Sequence, residues 1–433
     1  MLLRFEVANH RSIYRPVELS LVAVDRDRLS TWEFDAFDEQ ILSVAGLYGP
    51  NASGKSNVIE ALAWLAQAVS RSLRAWDQYI PRDPFRFADG PATPTTFELE
   101  LVLQDVRYTY HLELTDTEVV FEALYSYPER RRRLLFERDG AQLSFRRGTA
   151  SGGIKELLTP TTLLLSAAMR LEDPLLRDFA RAVAGFRVLG VASRKDLRYS
   201  FGSFGASTER LFDDPQMTLF DDPESAQNRG RLSALALLRF ADLGIGDVEV
   251  TDDMDTEDPE GGPSSARFGR RHLRLVHNAM GQELPFDIRD ESVGTRTWFR
   301  LIGPTLDALN GGRLLVFDEI DASLHPRLSS RLVELFQDKQ TNRNGAQLIF
   351  TSHDTSLLNH LNRDEVWLTE KGRDGATTLT ALADYGGDRV RKSMNIERAY
   401  LQGRFGAVPE LDQTLVYEAM GIRPRQVLAE QGD

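Results

Sequence analysis

The sequence predicts an α/β fold: a mixed sheet around a phosphate-binding loop, with a β-rich subdomain and a helical insertion. Three stretches predict it. Gly49-Pro50-Asn51-Ala52-Ser53-Gly54-Lys55-Ser56 stands between an apolar run and a helical pattern. Far downstream, Arg313-Leu314-Leu315-Val316-Phe317-Asp318-Glu319 is an apolar run ending in two acids. Ala346-Gln347-Leu348-Ile349-Phe350-Thr351-Ser352-His353-Asp354 is another, ending in Ser-His-Asp. Parallel buried strands read as continuous apolar runs and deliver their terminal residues to one edge of the sheet.

The first stretch reads G-x-x-x-x-G-K-S, the P-loop pattern. Ile41 to Tyr48 before it suits a buried strand, and Val58, Ile59, Leu62, Leu65, Ala66, Val69 and Leu73 after it recur at helical spacing. Gly49 and Gly54 allow the backbone to turn its N–H groups inward around a phosphate. The helix N-terminus adds the positive end of its dipole. Lys55 is expected to reach the β- and γ-phosphates of ATP and the Ser56 hydroxyl to hold Mg²⁺, with Pro50, Asn51, Ala52, Ser53 and Asn57 completing the cradle. Upstream, Met1 to Val7 alternates as a strand that Asn9-His10-Arg11-Ser12 ends. Arg11 is a candidate to flank the nucleotide; a simple turn is the other reading.

Thr96 to Leu103 and Arg107 to Leu114, around Gln104-Asp105, predict a hairpin. Val119 to Tyr127, Leu134 to Arg138 and Gln142 to Arg146 predict further strands, the last two joined by Asp139-Gly140. From about Glu156 to Phe240 the apolar pattern turns helical. Two segments there and just beyond, Phe212 to Gly230 and the acidic Thr251 to Ala266, lack the apolar content to order themselves and read as mobile. Leu273 to His277 alternates again, and a helix through Trp298, Leu301, Ile302, Leu306 and Leu309 stops at Gly311-Gly312. The expected organisation is a first ATPase half over 1–90, a β-rich subdomain over 91–150, a helical insertion over 151–270 and a second half over 271–433.

The second stretch matches the Walker B pattern. Its strand would carry Asp318 to the sheet edge beside the P-loop, where it holds Mg²⁺ through water. Glu319 would then orient or deprotonate the attacking water. His353, at the end of the third stretch, is placed to sense the γ-phosphate by hydrogen bonding.

Composition bounds the partners. The formal net charge is −13, so a surface that coats DNA uniformly is not expected, because phosphate binding needs local positive charge. Local clusters exist at Arg130 to Arg133 and at Arg146-Arg147; they fit either a charged strand edge or a nucleic-acid contact. There is no cysteine, hence no disulfide framework or thiolate metal site. The N-terminus lacks the apolar run of a signal peptide and no stretch is long enough to cross a bilayer. A cytoplasmic protein without membrane contact is the expectation.

The order of P-loop, long insertion, Walker B with Asp-Glu, the loop Asp321-Ala322-Ser323-Leu324-His325-Pro326, and a strand with Ser-His-Asp resembles ABC-type ATPase heads. Within them it looks like the branch holding RecF, the SMC proteins and the OLD-type ATPases, whose opening is similar to Phe5 to Ile13. Glu291-Ser292-Val293-Gly294-Thr295-Arg296 and the tail Ala399 to Pro409 resemble the RloA-like, OLD-related group of antiviral-defence proteins. The resemblance implies two heads sandwiching two ATP molecules. Ser292 and Gly294 would touch the γ-phosphate in trans, and Asp321, in the D-loop position, would cross the interface of a homodimer or higher homo-oligomer. OLD proteins carry a TOPRIM nuclease in the same chain; here fewer than about 80 residues follow the His353 strand, below the usual domain size. The resemblance thus implies a separately encoded effector, TOPRIM-type or RloB-like. The alternative it leaves is a RecF-like repair ATPase that binds DNA directly.

Overall fold

The computed structural model describes residues 1–26, 30–34, 37–147, 153–170, 173–190, 207–212, 226–241, 244–252, 271–322, 324–385, 395–407 and 420. The segments read as mobile, Ser323, and Val408-Pro409 of the tail fall largely or wholly outside them.

The chain opens with β1 (Leu2–Ala8), β2 (Val17–Ser20), β3 (Trp32–Phe34), β4 (Phe37–Ile41) and β5 (Val44–Tyr48), then α1 (Lys55–Ala75). A meander follows: β6 (Thr95–Leu103), β7 (Val106–Leu114), β8 (Val119–Ser126), β9 (Arg133–Asp139) and β10 (Gln142–Phe145). Its turns carry the backbone their sequences suggest. Gln104 (φ 49°) and Asp105 (φ 60°) are both left-handed, the two-residue turn that matches strand twist, and Gly140 (φ 53°) serves β9–β10. Next come α2 (Ile154–Leu157), α3 (Leu164–Ala168), α4 (Pro174–Ala184), β11 (Arg187–Leu189), α5 (Ala226–Ala241), β12 (Ile245–Asp252), β13 (Arg271–Ala279) and β14 (Gln282–Asp287). The last part holds α6 (Val293–Gly311), β15 (Leu314–Phe317), α7 (Pro326–Gln337), β16 (Gln347–Thr351), β17 (Val366–Lys371), β18 (Thr377–Ala381) and α8 (Ile396–Leu401).

Two large sheets share α1. The antiparallel sheet runs β10-β9-β8-β7-β6-β1-β2 and the second runs β11-β15-β16-β5-β17-β18, parallel except for its last pair. Buried Val58, Ile59, Leu62, Leu65 and Val69 recur along α1 at helical spacing and join one apolar core with both sheets. The parallel strands are buried on both faces, and alternation sorts them. Ala45, Leu47, Leu314, Val316 and Ile349 belong to the core with α1. Val44, Tyr48, Leu315, Phe317, Leu348 and Phe350 belong to a second core with α5, α6 and α7. The α6 helix ends where expected, on Gly312 in the left-handed region (φ 60°).

Strand pairing adds to the organisation expected from the sequence. The strands of 91–150 extend the sheet that β1 and β2 begin, so this stretch shares its sheet with the first ATPase half. The helical stretch 151–270 contributes β11, which pairs in parallel with β15 as an edge of the core sheet, and β12, which pairs with β13. Period-two patterning reveals strands and not their partners, and a three-residue strand has too few positions to show a period. β16 lies between β5 and β15, so the strand ending in Asp318 is one strand removed from β5, an order on which the sequence carried no expectation. Among the described residues, no helix is long and apolar enough to cross a membrane.

Candidate nucleotide-binding site

All five residues of β5 are buried, and the chain leaves it at Tyr48 into the loop. Gly49 (φ 149°) and Gly54 (φ 109°) have no room for a side chain. A Cβ at Gly49 would strike the Thr369 carbonyl and hydroxyl, and one at Gly54 would strike the Thr377 side chain. The same threonines brace the loop. Thr369 Oγ1 lies 2.5 Å from Ser53 Oγ, and Thr377 Oγ1 donates to the Ser53 carbonyl at 2.8 Å. Thr377 also lies 2.7 Å from Ser12 Oγ, to which Asn57 Nδ2 donates. The β17–β18 hairpin and the turn after β1 thus grip the loop from outside.

Lys55 is 5% exposed and donates to the carbonyls of Gly49 (2.7 Å) and Pro50 (3.1 Å), so its ammonium lies within the loop's own ring. Burial pushes its pKa down, while Asp318, Glu319 and Asp321 pull it back up. Ser56 Oγ donates to Asp318 Oδ1 at 3.1 Å, joining the two halves of the sequence across the intervening strand. Thr351, at the end of that strand, makes the crossing rigid. Its hydroxyl donates to Asp318 Oδ1 at 2.6 Å and accepts from the Glu319 amide at 2.7 Å. Glu319 occupies the left-handed region (φ 58°), a backbone state uncommon outside glycine. Asp321 accepts from the His353 amide at 3.2 Å and 3.3 Å.

Several of these groups line one open cavity of about 810 Å³, while Asp318 lies outside its lining, against Ser56. Asn51, Ala52, Ser53, Gly54, Lys55, Ser56 and Asn57 line it, with Glu319, Asp321, Ala322, His353 and Lys371. Ser56 and Asp318 offer hard oxygen donors of the kind Mg²⁺ takes. Among the described residues there is no cluster of three or more His, Cys, Asp or Glu that could hold a metal ion.

Not every expected residue lines the cavity. Gly49 and Pro50 shape the loop and hold Lys55. Arg11 (φ 54°) pairs with Glu60 and Asp83 and donates to Asn57 at 3.3 Å, so it supports a lining residue without lining the cavity itself. Ser292 and Gly294 sit at the start of α6, outside the lining set; Ser292 is exposed and caps that helix through the Thr295 amide. Sequence reading missed Thr351, Thr369, Thr377 and Lys371. The alternating run Val-Trp-Leu-Thr-Glu-Lys, with Gly-Ala-Thr-Thr-Leu-Thr after it, held the signal for a hairpin. Nothing in the run says that it lies beside β5.

A parallel sheet bearing this loop on an inner strand, with the loop's hydroxyl against a strand-end carboxylate, defines a P-loop ATPase. The family model described as "AAA domain, putative AbiEii toxin, Type IV TA system" matches residues 44–359, more than half of the chain, and the chain belongs to that family. A comparison with curated proteins returns no match. Among solved structures, the chain is similar to an SMC head bound to the C-winged helix domain of ScpA. Identity there is 14%, with 88% of this chain and 97% of that one covered, and the TM-score is 0.44. An SMC head domain from Thermotoga maritima gives 12%, 88%, 98% and 0.40. An SMC head with an extended coiled coil from Pyrococcus furiosus, bound to the C-terminal domain of ScpA, gives 13%, 88%, 96% and 0.42.

Proposed function

We propose that this chain is an ATP-binding and hydrolysing switch of the RloA-like, OLD-related kind, acting in antiviral defence. Two copies close over ATP, and their assembly state controls a separately encoded effector. The observation that carries the ATPase reading is the 3.1 Å approach of Ser56 to Asp318, with Glu319 and His353 on the same cavity. The defence setting draws on the RloA-like motifs and on the family description, which names a toxin–antitoxin system.

In this reading the loop amides and Lys55 hold the phosphates, and Ser56 with Asp318 hold Mg²⁺. The bound ion supplies charge neutralisation on the phosphate oxygens. Glu319, its backbone fixed through Thr351, orients the attacking water and takes its proton. His353 meets the γ-phosphate, and Asp321 holds the His353 backbone in place. Ser292 and Gly294 from the second copy complete the charge stabilisation that one loop leaves unfinished. Hydrolysis removes the bridge between copies.

Glu319→Gln keeps the shape and removes the base. Expected is ATP binding within about threefold of the parent and turnover slowed by roughly 10²-fold or more. Lys55→Ala is expected to lose ATP binding. Calorimetric titration and a phosphate-release assay read both, and a Glu319→Gln protein that turns over at the parental rate would remove the assigned role.

A second reading, DNA binding of the RecF-like kind, is favoured by one surface. Arg130, Arg131, Arg132 and Arg133 are exposed, and Arg132 lies over the Tyr125 ring at 3.8 Å, in a chain of net charge −13. ATP-dependent duplex binding that weakens steeply with salt would support it; no binding at low salt would dispose of it.

A further inference from the structure

The β17 strand borders β5 on the side away from β16, so the cavity has two unlike walls. The wall from β15 and β16 carries Glu319, Asp321 and His353, with Asp318 behind Ser56. The wall from β17 carries Lys371. In the β17–β18 ladder Lys371 is in register with Thr377, and Thr369 lies two residues before it. Residues in register, or two apart on a strand, share a face. Thr369 and Thr377 both press that face against the P-loop, at Gly49 and Gly54. Glu370 points the other way and accepts from the Ala407 amide at 2.7 Å. Among the described residues no carboxylate pairs with Lys371. Without it, three carboxylates face the single ammonium of Lys55, an unfavourable field for a polyanion even after one divalent cation is added.

We propose that Lys371 is a second phosphate-directed ammonium of this site, reaching the nucleotide's phosphate chain from the wall opposite the acids. The proposal rests on the ATP-binding reading above and adds to it a residue that sets affinity for the charged part of the ligand. Thr369 and Thr377 spend their hydroxyls holding the loop, and Lys371, next on the same face, is left for the ligand.

The test is direct titration of ATP into the full chain at several salt concentrations. Lys371→Met keeps the apolar stem and removes the charge. Its expected ATP dissociation constant is about tenfold higher than the parent's, with a shallower salt dependence and an unchanged melting temperature without nucleotide. Lys371→Arg is expected to recover most of the affinity. A Lys371→Met protein that binds ATP within twofold of the parent, with the same salt dependence, overturns the proposal. Lys55→Ala in the same assay separates the two claims. Loss of binding there while Lys371→Met binds normally removes only the role of Lys371; a parent that binds no ATP removes the site itself and this proposal with it.

Discussion

At the scale of single residues, the polar groups that do most for this protein are those whose environment differs from water, and His10 is the simplest case. It lies two residues beyond the strand that opens the chain, is 3% exposed, and has no hydrogen-bond partner on either ring nitrogen among the described residues. Burial, helped by Arg11, lowers its pKa from 6.5 to about 4, while Asp83 opposes weakly. A histidine with a depressed folded pKa costs nothing above its unfolded value; as pH falls from 6.5 towards 4, only the unfolded chain takes the proton. Between pH 7 and pH 5 this side chain should cost about 2 kcal/mol of stability. His10→Phe is therefore expected to lose about 2 kcal/mol less than the parent over that interval, measured from urea unfolding at both pH values. Equal losses would mean that the ring is solvated in the folded state. Of the residues the sequence singled out, the structure brings Asn51 to Asn57, Glu319, Asp321 and His353 to one cavity, with Asp318 against Ser56, and leaves Ser292 and Gly294 outside its lining. Thr351 was not legible, although it touches both Asp318 and Glu319, because a threonine ending an apolar strand resembles any other until its neighbouring strand is known.

At the scale of elements, one buried side chain, Gln347, hydrogen-bonds across from the core sheet to the antiparallel sheet and to the connection before β5. It begins β16 and is 1% exposed. Its Nε2 donates to the Leu2 carbonyl at 2.8 Å and the Leu42 carbonyl at 3.0 Å, and its Oε1 accepts from the Leu2 amide at 2.5 Å. One amide thereby ties the core sheet to β1 of the antiparallel sheet and to the residue after β4. Gln347→Leu fills the same volume and leaves those backbone groups unpaired, so a loss of about 3 kcal/mol is expected from urea unfolding. Because Gln347 lies at the end of β16 far from His353, ATP affinity should stay within about threefold; a large loss of affinity would show that the two edges of the sheet are coupled. The elements themselves were largely visible beforehand. Helical spacing gave α1 and α6, and the turn residues at 104–105 and 139–140 gave both hairpins. Pairing was not visible, since β6 finds β1 across the whole of α1, and no local pattern encodes a partner that distant.

At the scale of the whole molecule, the two-copy arrangement proposed above needs a surface on which a second copy can dock. The β14 strand and the start of α6 both carry exposed apolar side chains. Val293 is 56% exposed, Phe286 45% and Leu284 53%. Phe286 packs edge-on against His277, whose Nε2 lies 2.6 Å from Glu291, so this apolar group stands beside the Glu291–Arg296 signature. Clustered exposed apolar residues with a polar rim mark interaction surfaces. Such a face is consistent with closure over the nucleotide of a second copy, the arrangement proposed above. Val293→Asp tests it without harming the helix, because an acid in the first helical turn is favoured by the dipole. In a Glu319→Gln background, which should trap the closed form, ATP is expected to shift the chain from monomer to dimer by light scattering. Adding Val293→Asp should weaken that association at least about tenfold, since desolvating an unpaired charge at an interface costs several kcal/mol. ATP affinity of the monomer should remain within about threefold. A dimer that survives Val293→Asp intact would mean that the signature end of α6 faces solvent in the assembly, and the trans role of Ser292 and Gly294 would go with it.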